Sequence, residues 1–306
     1  MIQKRLRERA RLCAEARRFF DARGFLEVQT PILVPSPGLD VHLDAFEVVG
    51  GDRGSPRWLS TSPEYQMKRL LAQGLSRIYQ IAPCFRRGES GTRHNPEFTM
   101  VEWYRSGAGM AEVMVDTEQL VAAMTGGTVR LGDRTVDVAP PFERIPVCEA
   151  FSRYAGWSRE DTLEAAASDE DRYFRTLVDQ VEPALAASPR ALFLVDYPAT
   201  QASLARRKPG DMLVAERFEL YVAGVELCNG FGELVDPVEQ RARLVRDQEI
   251  RRSRGLPVYP IDERFLAALE RLPPSGGNAL GLDRLIALAC GTTEIAEVIA
   301  FTADEV

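Results

Sequence analysis

The chain has 306 residues, 45% of them hydrophobic and 27% charged, which provides for a full hydrophobic core and argues against a disordered protein. Its 45 acidic residues outnumber 38 basic ones, so a net charge of −7 lacks the basic footprint of a protein built for extended nucleic-acid contact. Five scattered cysteines without a C-x-x-C pair argue against a disulfide framework and point to a reducing cytoplasm; no apolar run reaches the ~20 residues of a membrane span.

From the N-terminus, Leu6, Cys13, Ala16 and Phe20 recur at helical spacing and predict a first helix through the arginine-rich opening. An extended segment over 26–30 runs into a bend at Pro31, Pro35 and Pro37. Short strands are predicted over 46–49 and 58–59, around a glycine-rich loop. Pro63 suits the first turn of a helix reaching Gly74. Residues 77–85 and 97–104 predict an antiparallel hairpin. Mainly helices are expected over 110–187, with a small hairpin around 129–138. Strands return over 191–197 and 217–227, helices over 238–254 and 262–272, and a last strand and helix follow. The 241–254 stretch holds six arginines against two acids and reads as a solvated basic face.

The strand that starts at Glu97 alternates its faces, so Phe98, Met100, Glu102 and Tyr104 share one side while Thr99, Val101 and Trp103 take the other. One face thus carries a flat ring and, about 13 Å further along, a carboxylate and a phenol. A nucleotide base suits the first end and a cationic group the second. A turn at Ala223-Gly224 would set Tyr221 opposite Glu226 and Glu219 diagonal to it at roughly 7 Å. Carboxylates that close call for a cation between them, and magnesium bridging phosphate oxygens is the expected occupant.

The stretch 85–105, FRRGESGTRHNPEFTMVEWYR, resembles motif 2 of the class II aminoacyl-tRNA synthetases in their lysine-type branch. GGNALGLDR (276–284) resembles motif 3 and GFLEVQTP (24–31) resembles motif 1; TSPEYQMKRL (61–70) and GVELCNGFGEL (224–234) join them in family order. The resemblance implies an α+β fold, a mostly antiparallel sheet flanked by helices. It further implies one catalytic domain over 1–306 with a helical variable insertion at about 106–190. It implies a homodimer through motif 1, where pairing would bury the apolar stripe of Phe20, Phe25 and Val28. It also implies ATP and magnesium as cofactors. Arg86 would contact the α-phosphate and the substrate carboxylate, Arg284 the distal phosphates, and Phe98 the adenine. His94 would sit near the nucleotide, and Glu219 and Glu226 would hold the metal. Glu64, Glu102, Tyr104, Asn229, Phe231 and Glu233 match the amino-acid pocket. Three carboxylates and a phenol around one cavity suit a diamino, cationic substrate, because each buried positive charge needs a partner.

Three departures from the tRNA-charging pattern stand out. Gly88 and then Glu89 occupy the motif 2 loop where glutamate commonly comes first, which leaves the contacts of that loop open. Ala279 replaces a glycine of motif 3, and its methyl would crowd an α-amine while leaving room for an amine one carbon along. Motif 1 begins so early that no anticodon-binding barrel is expected ahead of it, which disfavours tRNA binding. The chain is therefore most similar to the truncated lysyl-tRNA-synthetase-like branch, whose members ligate (R)-β-lysine to a lysine ε-amine of elongation factor P. A free-standing domain that charges tRNA or another small acceptor is the alternative. A non-catalytic regulatory paralogue would not need the set Arg86, Arg284, Glu219 and Glu226.

Overall fold

The first helix, α1 (Ile2–Asp21), forms where predicted, but it buries Leu12, Ala16, Phe19 and Phe20, with Leu6 and Cys13 only partly covered. That i, i+4, i+7, i+8 stripe is the full helical face a sheet-packed helix requires. The computed structural model describes residues 2–50 and 56–306. Within it, Phe20 stacks on Tyr79 at 4.5 Å and tilts against Trp103 at 5.3 Å, and Phe25 is buried. The stripe expected to await a second subunit is thus corrected: the chain's own sheet covers Phe20 and Phe25. Leu26 and Leu33 are the apolar residues of this region left open, 53% and 48% exposed.

The sheet behind α1 orders its strands as β1 (Leu26–Glu27), β2 (Arg77–Phe85), β3 (Glu97–Ser106), β8 (Ser275–Gly281), β7 (Val225–Gly232), β6 (Asp211–Val222), β5 (Leu192–Pro198) and β4 (Glu143–Pro146). Only the two edge pairs, β1 with β2 and β4 with β5, are parallel; the interior is antiparallel as expected. A two-residue strand, Arg207–Lys208, also pairs with β6. Three short strands, Leu33–Val34, Glu47–Val48 and Arg57–Leu59, form a separate small sheet. The glycine-rich loop predicted between the last two falls partly on residues 51–55, outside those described.

The 106–190 stretch is less of an insertion than its sequence implied. Its helix α3 (Met110–Thr125) buries Val113, Met114, Leu120, Val121 and Met124 in the main core, and β4 extends the main sheet. The predicted small hairpin is present as Thr128–Leu131 against Arg134–Asp137. Beyond it, Phe151, Tyr173, Leu177 and Val181 form a core of their own against Leu194, Tyr197 and Tyr221.

The helix α2 (Glu64–Leu71) follows directly on Pro63. Asp236 caps α4 (Pro237–Ser253), accepting from the backbone amides of Val238 and Glu239, with Pro237 in the first turn. Four of the six arginines over 241–254 are held by acids or carbonyls. Arg241 pairs with Glu263, Arg243 with Glu239, and Arg254 with Glu170. Arg251 is wholly buried and donates to the carbonyls of Asp40, Leu43 and Pro257 and to the Asp44 carboxylate. It thereby pins the loop that forms one wall of the cleft described next.

Candidate active site

The register of four antiparallel strands lays a single row of residues across one face of the sheet. Glu102 on β3 pairs with Ala279 on β8, Ala279 with Asn229 on β7, and Asn229 with Glu219 on β6. The neighbouring row runs Tyr104, Gly277, Phe231, Arg217. Directly opposed residues share a face, so both rows lie on one side of the sheet. A cleft of about 500 Å3 lies over it, lined among others by Arg86, His94, Phe98, Glu219, Glu226 and Arg284, and by Glu64, Asn229, Phe231 and Ala279.

Strict alternation could not have produced this surface, because Glu226 and Asn229 are three residues apart. The turn is as predicted: Ala223 and Gly224 both have positive φ, 54° and 79°, and Tyr221 pairs with Glu226. The next pair, however, is Leu220 with Cys228, which leaves Leu227 as an extra residue in β7. This bulge turns Leu227 and Cys228 into the core and brings Asn229 back to the face that carries Glu226. Glu219 therefore stands directly opposite Asn229.

At the end of the cleft expected to face phosphates, the Arg86 guanidinium lies over the Phe98 ring at 5.0 Å and pairs loosely with Glu89 at 3.6 Å. Arg284 donates to the carbonyls of Glu226 at 2.9 Å and Arg93 at 3.2 Å, and meets His94 Nε2 at 2.6 Å. Burial and the Arg284 charge hold the His94 pKa below its ordinary value, so the ring is neutral and Nε2 accepts. Backbone tethers thus aim Arg284 into the cleft.

Glu219 and Glu226 differ in their surroundings. Glu219 Oε1 takes a 2.6 Å bond from Arg217 Nη2, and Oε2 a 2.8 Å bond from the Tyr221 hydroxyl. Glu226 accepts no side-chain hydrogen bond among the described residues; Arg284 is 4.0 Å away. Partial burial in the cleft and the nearby Glu219 carboxylate push its carboxyl above the ordinary value. Two carboxylates, one immobilised and one under-partnered, fit a Mg2+ ion that completes its shell with phosphate oxygens and water. A third carboxylate, His or Cys able to close an all-protein cage is absent among the described residues.

The residues expected to form an amino-acid pocket are arranged differently from expectation. Glu64 lines the cleft, but Glu102, Tyr104 and Glu233 are 1%, 3% and 1% exposed and lie behind its wall. Their arrangement follows from charge compensation inside the protein. Glu102 accepts from Tyr104 and Ser62, and Glu233 pairs with Lys68 at 2.5 Å. Sequence reasoning missed Lys68 and Arg217, although Lys68 sits one helical turn after Glu64 and that i, i+4 spacing was a readable signal.

Across nearly its whole length, residues 1–305, the chain matches the sequence profile of the class II tRNA synthetases (D, K and N), and it belongs to that family. It is also similar to proteins named elongation factor P–(R)-β-lysine ligase. The relative from Haemophilus influenzae (strain PittGG) is 40% identical, that from Klebsiella pneumoniae (strain 342) 42%, and that from Edwardsiella ictaluri (strain 93-146) 43%. In each case the match covers 98% of this chain and 95% of the relative.

Proposed function

We propose that this protein is an ATP-dependent ligase that activates (R)-β-lysine as its adenylate and transfers it to a lysine ε-amine of elongation factor P. The observation that carries the reading is one cleft lined by Ala279, Asn229 and Glu219 together with Arg86, Arg284 and Glu64, with Glu102 in register with Ala279 and buried behind the wall. Likeness to the named ligases along the full chain supports the acceptor and the amino acid.

In the first half-reaction an oxygen of the substrate carboxylate attacks the α-phosphorus of ATP, and pyrophosphate leaves. Arg86 neutralises charge at the α-phosphate and the carboxylate, Arg284 does so at the departing phosphates, and Phe98 offers its free ring face to adenine. Glu219 and Glu226 would hold Mg2+, which supplies electrostatic stabilisation of the phosphates. In the second half-reaction the ε-amine attacks the acyl carbon, forming an amide and releasing AMP and a proton. Glu64 takes one substrate ammonium, and the second is drawn toward the buried Glu102 carboxylate. The Ala279 methyl stands between Glu102 and Asn229 on the floor, where it excludes an α-amine.

The working form in this reading is a cytoplasmic homodimer. The exposed Leu26 and Leu33 beside motif 1 favour pairing, and the five cysteines are all free. Light scattering at micromolar concentration tests the dimer, and a fully active monomer would defeat it. To test the function, the enzyme is incubated with ATP and (R)-β-lysine, together with purified elongation factor P or tRNA, and both acceptors are weighed. A mass gain of one β-lysyl group on elongation factor P alone is expected. A gain on tRNA alone would favour the tRNA-charging alternative.

A further inference from the structure

A fully buried lysine behind the amino-acid end of the cleft has no part in the chemistry above. Lys68 extends from α2 one turn beyond Glu64, so its stem follows the helix face that carries that carboxylate. Its ammonium lies 2.6 Å from Glu64 Oε1 and 2.5 Å from Glu233 Oε2; the three side chains are 1%, 18% and 0% exposed. The Tyr104 and Phe265 rings stand 5.9 Å and 6.0 Å from the same nitrogen. Beyond this ion pair, neither oxygen of Glu233 has a hydrogen-bond partner among the described residues.

We propose that Lys68 is a positioning residue that sets the charge of the substrate pocket, cancelling one of its three carboxylates and holding Glu64 by a single oxygen. The proposal rests on reading the cleft as a diamino-acid site. Buried charges must be matched nearly one for one, because the interior offers little solvation to an excess of either sign. Glu64, Glu102 and Glu233 together exceed by one the two ammonium groups of a diamino acid. Lys68 removes that excess and leaves two net negative charges when the substrate ammonium groups are in place and Glu102 is ionised. It also occupies Glu64 Oε1 and leaves Oε2 free of hydrogen bonds, on a residue that lines the cleft.

Burial acts against the Lys68 charge, yet Glu233 and Glu64 outweigh it and raise the pKa, so the ammonium is permanent at working pH. Glu102 is in the opposite condition. Its hydrogen-bond donors are the neutral Tyr104 and Ser62 hydroxyls, and the nearby Lys68 ammonium is committed to Glu64 and Glu233. The incoming substrate therefore supplies the cation that Glu102 lacks.

The test is amino-acid-dependent pyrophosphate exchange by Lys68→Met, Glu233→Gln, the double variant and Lys68→Arg, with KM measured separately for (R)-β-lysine and ATP. Lys68→Met is expected to raise the amino-acid KM about tenfold or more, with the ATP KM unchanged, since a charge-assisted contact is lost at one end only. Adding Glu233→Gln restores two net charges and should recover most of that loss, while Lys68→Arg keeps the charge and stays nearest to the parent. The Lys68→Met defect should also shrink as pH falls, because a proton then replaces the missing ammonium. A purely structural role would lower the melting temperature and raise both KM values together, and the double variant would then restore both alike. A double variant no better than Lys68→Met, or equal changes in both KM values, overturns the proposal. If Lys68→Met does not fold, Glu233→Gln alone decides: one net charge predicts a KM about tenfold higher for the amino acid, and no change overturns the idea. Parent enzyme whose exchange ignores diamino acids overturns both this proposal and the reading beneath it. Exchange by the parent with unaffected variants overturns the role of Lys68 alone.

Discussion

The Tyr104 hydroxyl donates a 2.5 Å hydrogen bond to Glu102, two residues back on the same strand face. Ser62 adds a second donor at 2.8 Å, yet burial and the nearby Glu64 charge prevail and push the Glu102 carboxyl up to about 8. Without substrate, and so without the ammonium that would ionise Glu102, the folded protein holds a proton that the unfolded chain, at an ordinary carboxylate value of 4.5, has already lost. Glu102 therefore contributes stability that is complete below that value and disappears as pH rises through about 8. The parent should lose stability relative to Glu102→Gln between these limits, at no more than about 1.4 kcal/mol per pH unit. Urea unfolding of both proteins at pH 5, 6.5 and 8 checks this; parallel profiles would refute it.

Arg86→Ala and Glu226→Gln should each abolish adenylate formation without unfolding the protein. Both side chains line the cleft and support no core packing. Removing one group that stabilises developing phosphate charge costs ~3 kcal/mol or more, about a hundredfold in rate. Pyrophosphate exchange beside a thermal melt separates the two effects, and near-normal exchange would mean the site is elsewhere.

Gly277→Ala should damage the pocket wall directly. A Cβ there would stand 2.2 Å from Tyr104 Cε1 and 2.5 Å from Glu233 Oε1. The Tyr104 ring cannot yield without releasing Glu102, so a loss of ~1–3 kcal/mol in stability is expected, typical of overpacking. Amino-acid KM should rise along with it. An unchanged melting temperature and KM would show that the wall is soft.

Ala279→Gly tests substrate choice. Ala279 sits in register with Glu102 and Asn229 and lines the cleft. Removing one methyl from a tight pocket shifts discrimination by ~1–3 kcal/mol, so kcat/KM for α-lysine should improve 10- to 200-fold relative to β-lysine. An unchanged ratio would mean that Ala279 only packs the strand.

Arg251→Ala should destabilise the protein by about 3–5 kcal/mol, since it removes one partner of a buried ion pair and strands the carbonyls of Asp40, Leu43 and Pro257. The wall from Asp40 to Asp44 depends on these bonds, so nucleotide affinity should fall too. A melt and an ATP titration measure the two losses, and retention of both would refute the clasp.

Much of this arrangement was legible in the amino-acid sequence. Period-two alternation placed Phe98, Glu102 and Tyr104 on one face, and a two-residue turn placed Tyr221 opposite Glu226, because both rest on local backbone geometry that neighbouring residues dictate. The motifs in family order pointed to Arg86, Arg284, Glu64, Glu219 and Glu226, all of which line the cleft, because each motif is a short stretch with its own turn chemistry. Tertiary structure alone decided the rest. The bulge at Leu227 depends on two strands settling their register against a third, and it alone unites Asn229 with Glu226. Phe20 and Phe25 went to the chain's own core because Tyr79 and Trp103 were there to receive them. Glu233 went to Lys68 because desolvated charges pair with whatever opposite charge the fold brings within reach, and no local pattern encodes that distance.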